Sequence, residues 1–206
     1  MTEGTRTIVF ELHDYWHAGS GHGGGPVQDA VVARTAGGLP FLSGRTVKGL
    51  VREAFRLGEL AGFTTAEEAR EFLGSSPDDE LDRFETRPGR LRFGDATLGE
   101  DFEQWALAMQ GQESWRASLE PLFAVVASTA LDDDGLAKNE TLRAVEVAVP
   151  VTLRGTVDER PDLRIEAGTA WAPLLDRVLP FVRGLGCGRR RGLGRVSAYL
   201  AGEVGA

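Results

Sequence analysis

The sequence predicts an α+β protein with a ferredoxin-like (RRM-like) βαββαβ core, insertions and a projecting hairpin. The first observation is the order of the predicted elements, which runs strand, helix, strands, helix and final strand. The second is that the two main helices each carry an apolar stripe along one side, as helices that cover one face of an antiparallel sheet must. With 206 residues, the chain is long enough to bury such a core.

Strands are predicted where β-branched and alternating residues recur. Residues 5–12 (TRTIVFEL) form the first strand, and residues 91–98 (LRFGDATL) form another whose residues Leu91 and Phe93 point inward. Residues 145–157 alternate and are predicted as one strand that continues the hairpin, which begins at a turn near residues 132–135. A last strand is predicted from Arg195 to Val204.

The first main helix follows the loop that begins at Leu39. Ser43 is a good N-cap because its hydroxyl can accept from free N–H groups of the first turn. The apolar stripe of this helix comprises Val47, Leu50, Val51 and Ala54. The second main helix is predicted at residues 171–185, where Pro180 should disturb it.

Shorter helices are predicted between the strands. A capping signal at residues 64–68 predicts a helix that runs through Leu73. Residues 101–110 and 114–127 are predicted as two more helices, with Trp105 and Trp115 in the core.

The first helix also has the chemistry of phosphate binding. Gly44 allows a ligand to approach the backbone, and the positive end of the helix dipole favours an anion. Arg45, Lys48, Arg52 and Arg56 recur every three or four residues and form a basic row. Such a row could bind a polyphosphate backbone. The simpler interpretation is that the row is the solvated face of an amphipathic helix.

A second anion-binding segment follows the second helix. In it, glycines that allow a close approach to phosphate alternate with arginines. The relevant residues are Gly188, Arg189, Arg190, Arg191, Gly192 and Gly194. The G-x4-G-K-[ST] spacing of a P-loop is missing, so the segment does not indicate nucleotide hydrolysis.

Composition limits the class of protein. The net charge of −8 argues against a generic nucleic-acid binder, but residues 183–195 contain five arginines and no acid, and a local field can outweigh net charge. No apolar run is long enough to span a bilayer, and the first residues lack the apolar core of a signal peptide. The single cysteine, Cys187, cannot form an internal disulfide. Together these features predict a cytoplasmic protein.

Histidine and aspartate residues supply further candidate sites. His13, His17 and His22 suggest a zinc site. However, the glycines in residues 19–25 forbid a helix beyond the first two histidines. Contact of a histidine with RNA or substrate is therefore the better interpretation. Asp29 is either a turn former or a residue that holds a divalent metal or a ribose hydroxyl. The three aspartates at 132–134 lack calcium-loop spacing and are predicted to form a solvated turn.

Four segments of the chain resemble motifs of the RAMP superfamily of CRISPR-associated proteins. Residues 17–21 (HAGSG) resemble H-x-G-x-G, and residues 29–49 are similar to D-x-P-V-x-R-D…G-x-P-x-I-P-G-S-S-L-K-G. Residues 131–146 resemble I-D-x-x-T-G-x-A…L-R-x-x-E of the thumb hairpin, and residues 186–196 resemble G-x-x-x-x-R-G-x-G-x-V. The motifs follow the family order, and within the superfamily the chain looks like the repeated backbone subunit of type III effector complexes.

The resemblance implies a single RAMP domain over residues 1–206. Its core would comprise about 5–57 and 90–204, with an insertion at about 58–89 and a thumb-like hairpin at about 128–150.

It also implies a subunit that coats guide RNA (crRNA) in antiviral defence. In the family, copies stack head to tail along the guide, and each thumb inserts into the guide–target duplex. The implied partners are guide RNA, target RNA, other RAMP subunits and copies of itself, with no membrane. The implied RNA-binding residues are His17, Ser43, Gly44, Arg45, Lys48, Arg52, Gly188, Arg189, Arg190, Arg191, Gly192 and Gly194.

The resemblance further implies cleavage of target RNA. Family backbone subunits use a loop aspartate and a divalent metal, and Asp29 occupies the matching position, so Asp29 becomes the expected catalytic and metal-binding residue with Mg²⁺ or Mn²⁺. Two other functions stay open. One is a guide-processing RAMP endoribonuclease that uses His13, His17 or His22 as general acid and base. The other is a non-catalytic assembly or capping subunit. Outside the superfamily, the remaining alternative is a ferredoxin-like domain unrelated to RNA.

Overall fold

Two antiparallel sheets and five α-helices make up the part of the chain that the computed structural model describes. This part comprises residues 4–19, 21, 30–76, 85–130, 132–138, 141–163 and 170–202. The predicted mixture of helices with antiparallel strands is therefore confirmed. None of the described helices is long and apolar enough to cross a membrane.

The larger sheet has four strands: β1 (Arg6–Leu12), β2 (Leu91–Thr97), β5 (Thr152–Glu159) and β6 (Val196–Leu200). Their order is β2-β5-β1-β6, and every neighbouring pair is antiparallel. Phe10 at the centre pairs with Leu153 on one side and Ala198 on the other, and all three side chains are buried. The last strand ends sooner than residue 204, which lies outside the described residues.

The smaller sheet is a hairpin of β3 (Phe123–Ser128) and β4 (Arg143–Ala148). Two predictions are wrong here. The helix predicted at 114–127 is only α4 (Trp115–Leu119), followed by a short 3-10 turn. The single strand predicted at 145–157 is two strands in different sheets, because Pro150 has no N–H group with which to continue the ladder.

Helix α1 (Gly44–Leu60) begins as predicted, with the Ser43 hydroxyl accepting from the Thr46 N–H at 3.3 Å. The predicted stripe faces the core, with Val47 and Val51 fully buried. Helix α1 packs on β2 and against α5 (Trp171–Val178). The second main helix is shorter than predicted, because Pro180 lies in a 3-10 turn that ends it.

Helix α2 (Ala66–Leu73) carries the predicted capping box, in which Thr65 and Glu68 exchange side chain-to-backbone hydrogen bonds. Helix α3 (Glu100–Met109) contributes Ala106 to a small second core with Leu39 and Leu119. The predicted core residue Trp105 is instead 43% exposed.

Candidate nucleic-acid interface

The Gly-rich loop, residues 184–195, lies directly on the segment that follows β1. The Cys187 N–H donates to the His17 carbonyl at 3.1 Å, and the Gly194 N–H donates to the Tyr15 carbonyl at 2.8 Å. Two segments that are far apart in sequence are therefore joined backbone to backbone. Glycine permits this approach, since a Cβ at Gly186 would lie 2.0 Å from the His17 carbonyl oxygen.

The two ends of the Gly-rich loop pair with each other. The Leu185 N–H donates to the Gly194 carbonyl at 2.9 Å, and the Val196 N–H donates to the Arg183 carbonyl at 3.3 Å. At the tip, the Arg191 N–H donates to the Gly188 carbonyl at 2.7 Å. The result is a stem with a tight tip, which holds the arginines of the loop at the surface.

Arg189 of the Gly-rich loop has an electrostatic effect on α1. The pKa of Glu53, on α1, is lowered first by its hydrogen bond from Arg56, and the charge of Arg189 lowers it further. The 3-10 turn Leu179–Phe181, directly before the loop, packs on α1, so the loop leaves the core beside this helix. Arg189, Arg190, Arg191 and Gly192 are exposed, and Gly188 is half-buried.

The basic row of α1 is divided among several roles. Arg45 is exposed and Lys48 is half-buried. Burial lowers the pKa of Lys48, and the charges of Arg52 and Arg160 lower it further. A nearby anion would relieve this repulsion. Sequence reasoning missed Arg160, because it lies beyond the end of β5 with no motif around it.

Two arginines of the basic row are used within the protein. The Arg52 guanidinium donates to the Leu73 and Gly74 carbonyls at 2.9 and 3.3 Å, so it satisfies carbonyl groups at the end of α2. Arg56 pairs with Glu53 at 2.8 Å. Arg52 therefore has a structural function in addition to any contact with a ligand.

The beginning of α1 already holds a carboxylate. The Gly44 N–H donates to Asp95 Oδ1 at 2.7 Å, and Asp95 was not identified from the sequence. A Cβ at Gly44 would lie 2.3 Å from the Phe93 carbonyl oxygen, so glycine is needed here for packing on β2. A phosphate at Ser43 and Gly44 would have to share this end of the helix with Asp95.

The described histidines have separate partners. His17 is 4% exposed, and its Nδ1 donates to the Glu146 carbonyl at 2.6 Å. His13 is exposed, and its Nε2 shares a hydrogen bond with Ser197 Oγ at 2.8 Å. His22 and Asp29 lie outside the described residues. Within the described ranges, no group of three His, Cys, Asp or Glu side chains could hold a metal ion.

Glu146 is a buried carboxylate that sequence reasoning did not recognise as structural. It is 6% exposed, and its carboxylate accepts from the Val32 N–H at 3.0 Å and from Arg34 Nη2 at 2.8 Å. Its own N–H donates to the Ala30 carbonyl at 3.1 Å. Strand β4 is therefore fixed both to His17 and to the segment that begins directly after residue 29.

The described residues in the outer part of the β3–β4 hairpin, 128–130 and 132–138, are exposed. The predicted solvated turn is confirmed, since Asp132 Oδ1 accepts from the Asp134 and Leu136 N–H groups at 3.1 and 2.8 Å. In the described part of the hairpin, four large apolar side chains are also exposed. They are Val125, Val126, Leu136 and Leu142.

Comparison with known proteins first defines the class of fold. A chain of the type III-B Cmr-beta complex bound to cognate target RNA matches with a TM-score of 0.66 at 12% identity, covering 97% of this chain and 98% of that chain. A chain of Cmr-beta in the apo state gives a TM-score of 0.69 at 13% identity, covering 98% of each chain. At such identities the match establishes a shared fold. Comparison with curated protein sequences gives no significant match.

The family then follows from the sequence match. The RAMP superfamily model matches residues 9–197. Because this match spans most of the chain, the protein belongs to the RAMP superfamily.

Proposed function

We propose that this protein is a guide-RNA-binding backbone subunit of a type III CRISPR effector complex. The observation that carries the proposal is the position of the Gly-rich loop, which is fixed to residues 15–17 and follows a 3-10 turn that packs on α1. The fold thereby holds the arginines at positions 189–191 at the surface. Membership of the RAMP superfamily and the fold shared with chains of Cmr-beta complexes, one of them bound to target RNA, support the proposal.

The proposed subunit has a ferredoxin-like core and a thumb. We infer a ferredoxin-like core from β1, α1, β2, β5, α5 and β6, since the strand order β2-β5-β1-β6 and the packing of α1 against α5 support it. The exposed β3–β4 hairpin would be the thumb, and the whole chain would be one RAMP domain. Copies of this chain, other RAMP subunits, guide RNA and target RNA would be its partners in the cytoplasm.

The chemistry of the surface suits binding that does not depend on sequence. The side chains of Arg189, Arg190 and Arg191 make no hydrogen bond or ion pair with the described part of the chain. Arginine binds phosphate through two parallel hydrogen bonds, and such contacts position RNA without reading bases. Base pairing between guide and target would then supply the specificity.

Replacing Arg189, Arg190 and Arg191 together by glutamine should weaken binding to single-stranded RNA. Each lost phosphate contact lowers the slope of log affinity against log salt by about 0.7, so the slope should fall by about 2. Fluorescence anisotropy over a salt series measures both quantities. The control is Arg116→Gln on α4, an exposed arginine that should leave the slope unchanged. An unchanged slope in the triple variant would contradict the proposal.

We further propose that the subunit cuts target RNA through Asp29. The observation that favours this is the anchoring of residues 30–34 to β4 by Glu146, which fixes the chain directly after Asp29 at the base of the hairpin. The described residues do not supply a ligand set for the expected Mg²⁺ or Mn²⁺, because Glu146 uses its carboxylate on Val32 and Arg34.

Asp29→Ala should abolish cleavage of a complementary target by the assembled complex while guide binding is retained. Asp133→Ala, in the exposed hairpin turn, is the matched control and should leave cleavage at the wild-type rate. Denaturing gels of labelled target RNA measure the outcome. Wild-type cleavage by the Asp29 variant would instead identify a non-catalytic RAMP subunit.

A further inference from the structure

Arg34 lies at the base of the β3–β4 hairpin and is held on two sides. Its Nη2 donates to Glu146 Oε1 at 2.8 Å, and the Glu146 side chain is only 8% exposed. Its guanidinium carbon lies 4.0 Å from the centroid of the Phe123 ring at the start of β3, within the range of a cation–π contact. An ion pair at one edge and an aromatic ring at one face therefore fix the orientation of this guanidinium.

The backbone of Arg34 is fixed as well. Arg34 forms an isolated antiparallel bridge with Pro40. The neighbouring Thr35 N–H donates to the Leu39 carbonyl at 2.8 Å, and the Gly38 N–H donates to the Thr35 carbonyl at 3.0 Å, so residues 34–40 form a closed turn. The fold alone therefore places the Arg34 side chain.

The N–H groups of Arg34 are only partly used. The side chain is 40% exposed, and within the described ranges its Nε and Nη1 groups have no hydrogen bond or ion pair. Arg90 is a contrast within the same protein, since it pairs with both Glu71 and Glu159 and is 5% exposed. An arginine with a single carboxylate partner and donors left at the surface can bind a second oxyanion through two parallel hydrogen bonds.

The guanidinium of Arg34 points back along the segment that leads from Asp29. Oε2 of Glu146 accepts from the Val32 N–H at 3.0 Å, and Oε1 of the same carboxylate accepts from Arg34. The guanidinium therefore lies beside residue 32 rather than beyond residue 34. The Glu146 N–H also donates to the carbonyl of Ala30, the residue directly after Asp29, at 3.1 Å. One buried glutamate thus fixes both the arginine and the chain next to Asp29.

We propose that Arg34 binds the phosphate of the target RNA that is cut beside Asp29, through two of its remaining N–H groups. This inference rests on the proposed cleavage through Asp29 and adds the residue that holds the reacting phosphate. The guanidinium keeps its proton, so Arg34 takes no part in proton transfer. Its role is to bind the non-bridging oxygens, where negative charge develops as the phosphorus is attacked. The contact reads no base, as a subunit that relies on guide pairing requires.

The test measures single-turnover cleavage of a labelled complementary target RNA by the assembled complex, together with the affinity for that target. Arg34→Gln should lower the cleavage rate about 100-fold or more. Arg34→Lys, which keeps the charge beside Glu146 but not the paired N–H groups, should lower it about tenfold. The target affinity should change by less than about twofold in both variants, because base pairing supplies it. The matched control is Arg92→Gln, which removes an exposed arginine paired with Asp158 and should cleave at the wild-type rate.

A purely structural role for Arg34 gives a different result. Hydrogen exchange at the Val32 amide reports whether residues 30–34 stay in place, and it should be unchanged in Arg34→Lys. A slow Arg34→Lys variant with accelerated exchange at Val32 would overturn the phosphate contact, since displacement of the chain would explain the loss. Wild-type cleavage by both Arg34 variants would also overturn it and would leave Arg34 as the counter-ion of Glu146.

The same experiment separates the role of Arg34 from the cleavage activity itself. If the wild-type complex cuts the target and Asp29→Ala does not, while both Arg34 variants cut at the wild-type rate, only the role of Arg34 is wrong. If the wild-type complex does not cut the target, the proposed cleavage and the phosphate contact of Arg34 are both wrong. Guide-RNA binding is tested separately, by the salt slope of the variant lacking Arg189, Arg190 and Arg191.

Discussion

Gly186→Ala should destabilise the protein by about 2–4 kcal/mol and weaken RNA binding about tenfold or more. Gly186 has φ +72°, and a Cβ there would lie 2.0 Å from the His17 carbonyl oxygen. That oxygen belongs to the backbone and also accepts from the Cys187 N–H, so the loop would have to move away and break this hydrogen bond. The free energy of unfolding in urea and the RNA affinity measure the two effects.

Gly192→Ala is the matched control for this prediction. Gly192 has a similar φ of +78°, but a Cβ there would meet no atom within 4 Å. It should therefore cost only the left-handed backbone conformation, about 1 kcal/mol, and leave the loop in place. If the two variants lose stability and affinity equally, the close contact between Gly186 and His17 does not position the loop.

Glu146→Ala should destabilise the protein by about 2–3 kcal/mol. The substitution leaves the buried Val32 N–H without its acceptor and removes the partner of Arg34. The Arg34 side chain is 40% exposed and can turn to water, so the loss should be smaller than the 3–5 kcal/mol typical of a fully buried pair. Urea unfolding measures the stability, and hydrogen exchange at the Val32 amide reports the local opening.

The control for this prediction is Glu113→Ala, at an exposed position where the free energy should change by less than about 0.5 kcal/mol. Accelerated exchange at Val32 without accelerated exchange in β1 would show that Glu146 fixes residues 30–34 to β4. Unchanged stability and exchange in Glu146→Ala would contradict this role.

Local signals in the sequence were sufficient to predict several helices. Ser43 and the stripe of α1 predicted its start and its buried face, and Thr65 with Glu68 predicted α2. These signals succeed because capping and helical periodicity depend on neighbours within one turn. The prediction of a helix through residue 127 was wrong, because a short apolar run fits both the helical and the strand periodicity. Residues 123–128 form a strand because they pair with β4.

The candidate site was harder to predict from the sequence. The motifs identified the Gly-rich loop, but its contact with His17 joins residues 170 positions apart, as Cys187 and His17 show. Asp95 was missed, and Glu146 was noted only as the last residue of a motif, because their partners, Gly44 and Val32, are distant in sequence. An acidic residue in an alternating strand is usually exposed, and only the packed structure reveals that Glu146 is buried.

Copies of this protein should bind along a guide RNA, and native mass spectrometry tests this expectation most directly. The protein is purified with and without nuclease treatment and is then mixed with single-stranded RNAs of increasing length. A backbone subunit should give a ladder of complexes whose number of copies rises stepwise with RNA length, and nuclease should collapse the ladder. An RNA-free monomer at every RNA length would contradict the claim and would show that the net charge of −8 governs its binding behaviour.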